Sequence, residues 1–139
     1  QADLITRARL FISASADSSM EDQYIEKLQV VKGTIVDGEV ITTVHDIMTH
    51  KTVDLDLDSC EVIGKGVRSM CRVWDDPNFT QGDEAYYYVR VLANKSCRWS
   101  HDMCLKNSEY CEHSNSNIPK FIQERAWTSP IWLENSSDI

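Results

Sequence analysis

The sequence predicts an all-β protein, an antiparallel β-sandwich of immunoglobulin-like size with one short helical insertion. Three observations carry this. Roughly six or seven short segments are rich in β-branched and aromatic residues and alternate apolar with polar positions. Gly, Pro, Asn and Asp separate them in turn-forming combinations. No stretch shows the apolar spacing of an amphipathic helix of useful length. With 139 residues and 15.9 kDa, the chain has room for one domain with a real core.

The first segment, "LITRARLFISA", places Leu4, Thr6, Ala8, Leu10, Ile12 and Ala14 on one face, so residues 1–15 read as a strand with a face to bury. Residues 16–26 are small and polar without periodicity and read as a flexible connector. Residues 27–134 are then the sandwich, and 135–139 a tail. Within the sandwich, "KLQVVKGTIV" and "EVITTVHDIM" flank Asp37-Gly38, the strongest short hairpin signal in the chain. "KTVDLDLDS" alternates with Val53, Leu55 and Leu57 inward and its aspartates outward. "GVRSMCRVW" and "EAYYYVRVLA" are two further strands around the loop "DDPNFTQGD". Residues 99–110 predict one or two helical turns, "SNSNIP" interrupts, and "ERAWTSPIWL" closes as a strand. Its Ala126, Thr128, Pro130 and Trp132 alternate with Trp127, Ser129, Ile131 and Leu133, so both faces have something to bury. Pro130 cannot donate to a ladder, which predicts an edge or a bulge there.

A formal charge of −8 and a pI near 4.9 argue against nucleic acid or an anionic membrane as partner, because both call for a basic face. No apolar run approaches the roughly 20 residues of a membrane helix. The chain starts at Gln1 rather than a methionine, which is read as upstream processing or truncation. Five cysteines and three sequons, at Asn78, Asn94 and Asn135, together predict a secreted, N-glycosylated protein.

The cysteines are Cys60, Cys71, Cys97, Cys104 and Cys111. Cys97, His101, Cys104, Cys111 and His113 could offer thiolate and imidazole to zinc, but the spacing matches no common finger, and disulfides are the expectation. Closing the short ring between Cys60 and Cys71 is plausible, which leaves one thiol over among the other three. Asp54, Asp56 and Asp58 could attract Ca²⁺, although a solvated outer strand face accounts for them as well. His45 and His50 near Asp46 form no recognised catalytic motif. Tyr86, Tyr87, Tyr88 and the four tryptophans could stack on sugars, yet filling the core is the expected role. No cofactor or metal is predicted. Glu124 and Arg125 read as a local polar contact rather than an acid–base pair.

Several segments in order, "LQVVKG", "SCEVIGKGVRSMCRVWDDPNF", "AYYYVRVL", "CRWSHDMC" and "IQERAWTSPIWL", resemble the C-terminal part of a mainly bacterial family, domain of unknown function 3604. The resemblance runs from about Leu28 to Leu133 and extends to the cysteines of members that carry them. It implies kinship with long proteins similar to metal-dependent phosphohydrolases of the polymerase-and-histidinol-phosphatase type, whose implied metal ligands lie in an N-terminal barrel opening with His-x-His. This sequence has no such region, so no catalytic residue carries over. Residues 1–26 do not resemble that barrel. Two arrangements suit the first strand: pairing in its own sheet, the default for a sequential strand, or donation to another copy, with Leu4, Ala8, Leu10 and Ile12 filling an acceptor groove. Head-to-tail donation does not close, so it produces a fibre. The sequence therefore predicts a non-catalytic, secreted and glycosylated structural or interaction module that associates with other copies of itself. The alternative is an accessory domain or fragment of such a phosphohydrolase.

Overall fold

The computed structural model describes residues 6–111 and 118–133. In chain order these form β1 (Arg9–Ser15), β2 (Ile25–Val36), β3 (Glu39–Thr49), β4 (Asp54–Leu55), β5 (Val62–Ile63), β6 (Ser69–Asp75), β7 (Ala85–Cys97), the helix α1 (Trp99–Lys106), a 3₁₀ turn (Ser108–Tyr110), β8 (Phe121–Trp127) and β9 (Ile131–Leu133). A large antiparallel sheet runs β3-β2-β7-β8, with β9 also paired to β7. β1 and β6 form a second sheet, and β4 with β5 a third, very short one. The architecture is a sandwich-like all-β fold without a closed barrel.

Local chemistry explains the ladder. Asp37 and Gly38 both take positive φ, 52° and 82°, the backbone a two-residue hairpin turn needs between right-twisted strands. Val36 therefore lies opposite Glu39, and the pairing continues regularly to Gln29 and Asp46, after which β3 carries a bulge. Long runs of Val, Ile, Thr and Tyr keep β2 and β7 extended, and β2 occupies the centre, paired on both sides.

The core lies between the inner face of the large sheet and the β1–β6 pair. Leu28, Val30, Tyr87 and Val89 meet Ala8, Ile12 and Met70, all nearly or fully buried. Ala8 and Ile12 point inward as their alternation predicts, with Leu10 partly buried beside them, while Leu4 lies outside the described residues. β1 pairs with β6 over its whole length, Arg9 opposite Asp75 through Ser15 opposite Ser69, so the first strand seats in the chain's own sheet.

Three departures from the sequence reading have clear causes. The connector is held in place, because the Arg68 guanidinium donates to the main-chain carbonyls of Asp17, Met20 and Glu21. Most of "KTVDLDLDS" turns instead of extending: Asp56 accepts from the Asp58 amide and only Asp54–Leu55 pairs. The closing stretch is two strands rather than one. Three residues, Thr128 to Pro130, stand opposite Tyr88 and Val89 on β7, so the chain bulges at the proline, as its missing donor requires. Thr128 bridges the bulge, its amide donating to the Val89 carbonyl and its Oγ1 accepting from the Val89 amide, each at 3.0 Å.

Among the described residues, one ion pair lies within the core. The Lys32 ammonium sits 2.6 Å from Asp76 Oδ2, with both side chains buried, and also donates to the Asn78 carbonyl. Asp76 further accepts from the Tyr87 hydroxyl at 2.7 Å and from the Asn78 amide at 2.9 Å. Burial pushes the Asp76 carboxyl up, but the bonds from Lys32, Tyr87 and Asn78 outweigh it and hold the group below its ordinary value. Burial and the adjacent Asp76 charge raise the Tyr87 phenol well above its ordinary value.

Replacing Asp76 by Ala strands a buried ammonium and is expected to cost about 3 to 5 kcal/mol, measured by urea unfolding. An unfolded Asp titrates near about 3.9, so the folded chain binds fewer protons there. The contribution of Asp76 is therefore full above that value and is lost as pH falls through the lower folded one. Acid titration of the wild type against Asp76→Asn should show the variant losing this part of the pH dependence.

Candidate functional site

The most distinctive surface is the outer face of the large sheet. Residues directly opposite in a ladder share a face, and the register places Val31 between Val44 and Tyr88, and Gly33 between Thr42 and Tyr86. β9 adds Trp132 opposite Tyr86, and β8 adds Trp127 opposite Arg90. Because of the bulge, Trp127 and Trp132 fall on the same outer face, where simple alternation sets them on opposite ones. They are 60% and 64% exposed.

Gly33 makes the face flat. A Cβ there would overlap Cε1 and Cζ of Tyr86, so only glycine lets that ring lie against the β2 backbone. The Tyr86 hydroxyl reaches across β2 to within 3.4 Å of Thr42 Oγ1. The rings of Tyr86 and Tyr88 run parallel within 7°, centroids 6.5 Å apart, and Trp132 tilts against Tyr86 at 5.2 Å. Beyond the rings lies a polar end, where Asp46 accepts from Lys27 and Gln29, and Gln29 accepts from Arg90. Lys27 first, then Gln29, holds the Asp46 carboxyl below its ordinary value. Of the aromatic residues expected in the core, Tyr87 is there and Trp74 packs against it, whereas Trp99, Trp127 and Trp132 are largely exposed.

The cysteines pair as Cys60–Cys97 and Cys104–Cys111, leaving Cys71 free and exposed. The Cys60–Cys71 ring does not form, because Cys71 lies mid-strand on β6 opposite Ser13, on its exposed side. Cys60 instead ties the β4–β5 loop to the end of β7. His101 supports the same clamp, its Nε2 2.7 Å from the Leu57 carbonyl. Cys60, Cys97 and His101 present ligand atoms within 4.8 Å of one another, but the two sulfurs are bonded to each other. Cys104 and Cys111 are likewise joined, and His113 lies outside the described residues.

The sequons differ in exposure. Asn78 is exposed in the β6–β7 loop. Asn94 is 4% exposed; its Oδ1 accepts from the Tyr24 amide and its Nδ2 donates to the carbonyls of Asp22 and Lys95. The nitrogen that would carry a glycan thus already serves the fold. Asn135 lies outside the described residues. His45 packs on Trp74 at 5.2 Å with Nε2 3.3 Å from Thr43 Oγ1, and the His50 main-chain amide bonds the Glu26 carbonyl, so the structure gives both histidines packing or ladder contacts.

Among the described residues, these features define a disulfide-stapled antiparallel β module with one broad sheet face left uncovered. The chain belongs to the family described as protein of unknown function DUF3604, whose pattern matches residues 2–135. The match takes in β1, so the first strand is part of the family pattern rather than a departure from it. No curated protein and no solved structure matches the chain. Two disulfides suit an oxidising environment, and among the described residues no helix is long and apolar enough to cross a membrane.

Replacing Cys60 and Cys97 together by Ser is expected to lower stability by about 3 to 4 kcal/mol, from the long loop they close. Denaturant unfolding of oxidised protein measures it, and peptide mapping should return the Cys60–Cys97 and Cys104–Cys111 pairs. Asn94→Ala leaves the Tyr24 amide without its partner and should cost about 1 to 3 kcal/mol in the same assay.

Proposed function

We propose that this chain is a non-catalytic structural and interaction module of a secreted, glycosylated protein, and that it works by covering its large sheet with another polypeptide surface, first of all another copy of itself. One observation carries the reading: among the described residues, a five-stranded sheet leaves its outer face and its β3 edge uncovered, with two indoles, Val40 and Val44 about half exposed or more. Apolar surface of this extent on a sheet is a common mark of an interaction site. Among the described residues, Asn78 is the accessible sequon for a glycan. Donation of residues 1–15 to a neighbouring copy, which would build a fibre, requires β1 to leave seven paired positions on β6; the β3 edge is already open.

A second reading follows from the same face. An accessory domain of a metal-dependent phosphohydrolase would cover this sheet with a catalytic neighbour, and the indoles of Trp127 and Trp132 suit such a contact.

Light scattering across a concentration series should report a mass above that of a single chain. Phosphomonoester hydrolysis with Mn²⁺ or Zn²⁺ should stay at background. A single-chain mass at every concentration would count against self-association, and chelator-sensitive turnover would overturn the non-catalytic reading of this chain. Deleting residues 1–15 should lower the unfolding midpoint rather than only the assembly size, because Ala8 and Ile12 belong to the core.

A further inference from the structure

The two edges of the large sheet are treated differently. On the β8–β9 side, the bulge at Thr128 to Pro130 and the proline itself interrupt pairing, and Glu124 and Arg125 are exposed. Natural sheets protect edges by such devices against adding a strand. The β3 edge is less protected over its regular part, where the charged residues are Glu39 beside the turn and Asp46, which is already bonded to Lys27 and Gln29. "EVITTVHD", residues 39–46, contains no Pro, Gly, Lys or Arg, and its bulge comes only after Asp46.

The backbone polarity of that edge is fixed by the turn. A two-residue hairpin makes Val36 and Glu39 a hydrogen-bonded pair, so Glu39, Ile41, Thr43 and His45 direct their main-chain groups toward β2. Val40, Thr42 and Val44 direct theirs outward. Any strand added here must pair with those three residues.

The outward row Val40-Thr42-Val44 reads the same in both directions about Thr42. A two-fold interface requires such self-complementarity, since each patch meets its own copy. We propose that two copies of this chain pair antiparallel through β3, about a two-fold axis at Thr42, to form one continuous sheet. This rests on the interaction-module reading above and assigns its partner.

In this register Thr42 faces Thr42 of the second copy, Val40 faces Val44, and Ile41 faces Thr43. Glu39 stands opposite His45, a carboxylate against an imidazole. The backbone allows two neighbouring registers: one centred on Thr43 sets Asp46 opposite Val40, although Asp46 is already bonded to Lys27 and Gln29, and one centred on Ile41 sets Val44 opposite Gly38 in the turn, where the strand has ended. The Thr42 register leaves that polar cluster intact. It closes on two copies, unlike a head-to-tail exchange, and it brings the two outer faces side by side in one surface.

The test is sedimentation equilibrium of the full chain with charge and backbone variants. The wild type is expected to be a dimer. His45→Glu sets carboxylates opposite each other twice across the axis and should raise the dissociation constant about tenfold or more, or about 1.4 kcal/mol. Adding Glu39→Lys to the same chain should restore it, since opposite charges then meet. Should His45→Glu disturb packing on Trp74, Thr42→Pro removes an outward donor without touching the β2 ladder. It should abolish the dimer while far-ultraviolet circular dichroism keeps the β-sheet signature of the wild type. A dimer that survives Thr42→Pro, or that the double variant fails to restore, overturns β3 pairing while leaving self-association intact; a monomer throughout overturns both.

Discussion

The fold depends on a buried charge that must never lose its partner. Lys32 lies on the inner face of β2, in the middle of the strand that holds the large sheet together, and its ammonium is balanced by Asp76 at the end of β6. A charge pair in such a place gains little net energy over an apolar substitute, because desolvation offsets attraction. What it imposes is geometry. Asp76 must reach Lys32 and Tyr87 together, which seats the β6–β7 loop on the sheet and sets where β6, and β1 beside it, cross the core. The Asn78 carbonyl and amide complete the site, so the same pair fixes the loop that presents this exposed sequon asparagine.

Much of this was legible in the sequence. Alternation identifies β1 and sends Ala8 and Ile12 to its buried row, the Asp37-Gly38 turn locates β2 and β3, and β-branched and aromatic content marks β6 and β7. These features are local, and local rules suffice for them. The disulfide partners were not legible, because Cys60 and Cys97 meet only after the β4–β5 loop folds onto the end of β7. The buried pair was missed for the same reason: Lys32 and Asp76 stand 44 positions apart, and each resembles an ordinary surface charge. The best available hint was a lysine within the otherwise apolar run "VVKGTIV". The tyrosine run misled in a different way, since alternation sends Tyr87 inward and Tyr86 with Tyr88 outward, and composition alone does not say which side is covered.

Gly33 shows how one residue shapes a whole surface. In a central strand glycine is normally a weakness, costing order without contributing contacts. Here the missing Cβ is what allows Tyr86 to lie across the strand toward Thr42, and the exposed side of the sheet becomes smooth rather than ridged. The free edge at β3 borders this smooth area, so face and edge form one connected region distinct from the interrupted β8–β9 side.

The bulge between β8 and β9 has a consequence for how such a surface can vary. Trp127 and Trp132 are five positions apart, an odd spacing that an uninterrupted strand would divide between core and exterior. The extra residue between Thr128 and Pro130 restores them to one side. Removing a single residue there would carry one indole through the sheet without altering a single side chain. The surface character of this module is therefore controlled by chain length at one point as much as by which amino acids it contains, and insertions and deletions are the changes that can switch it.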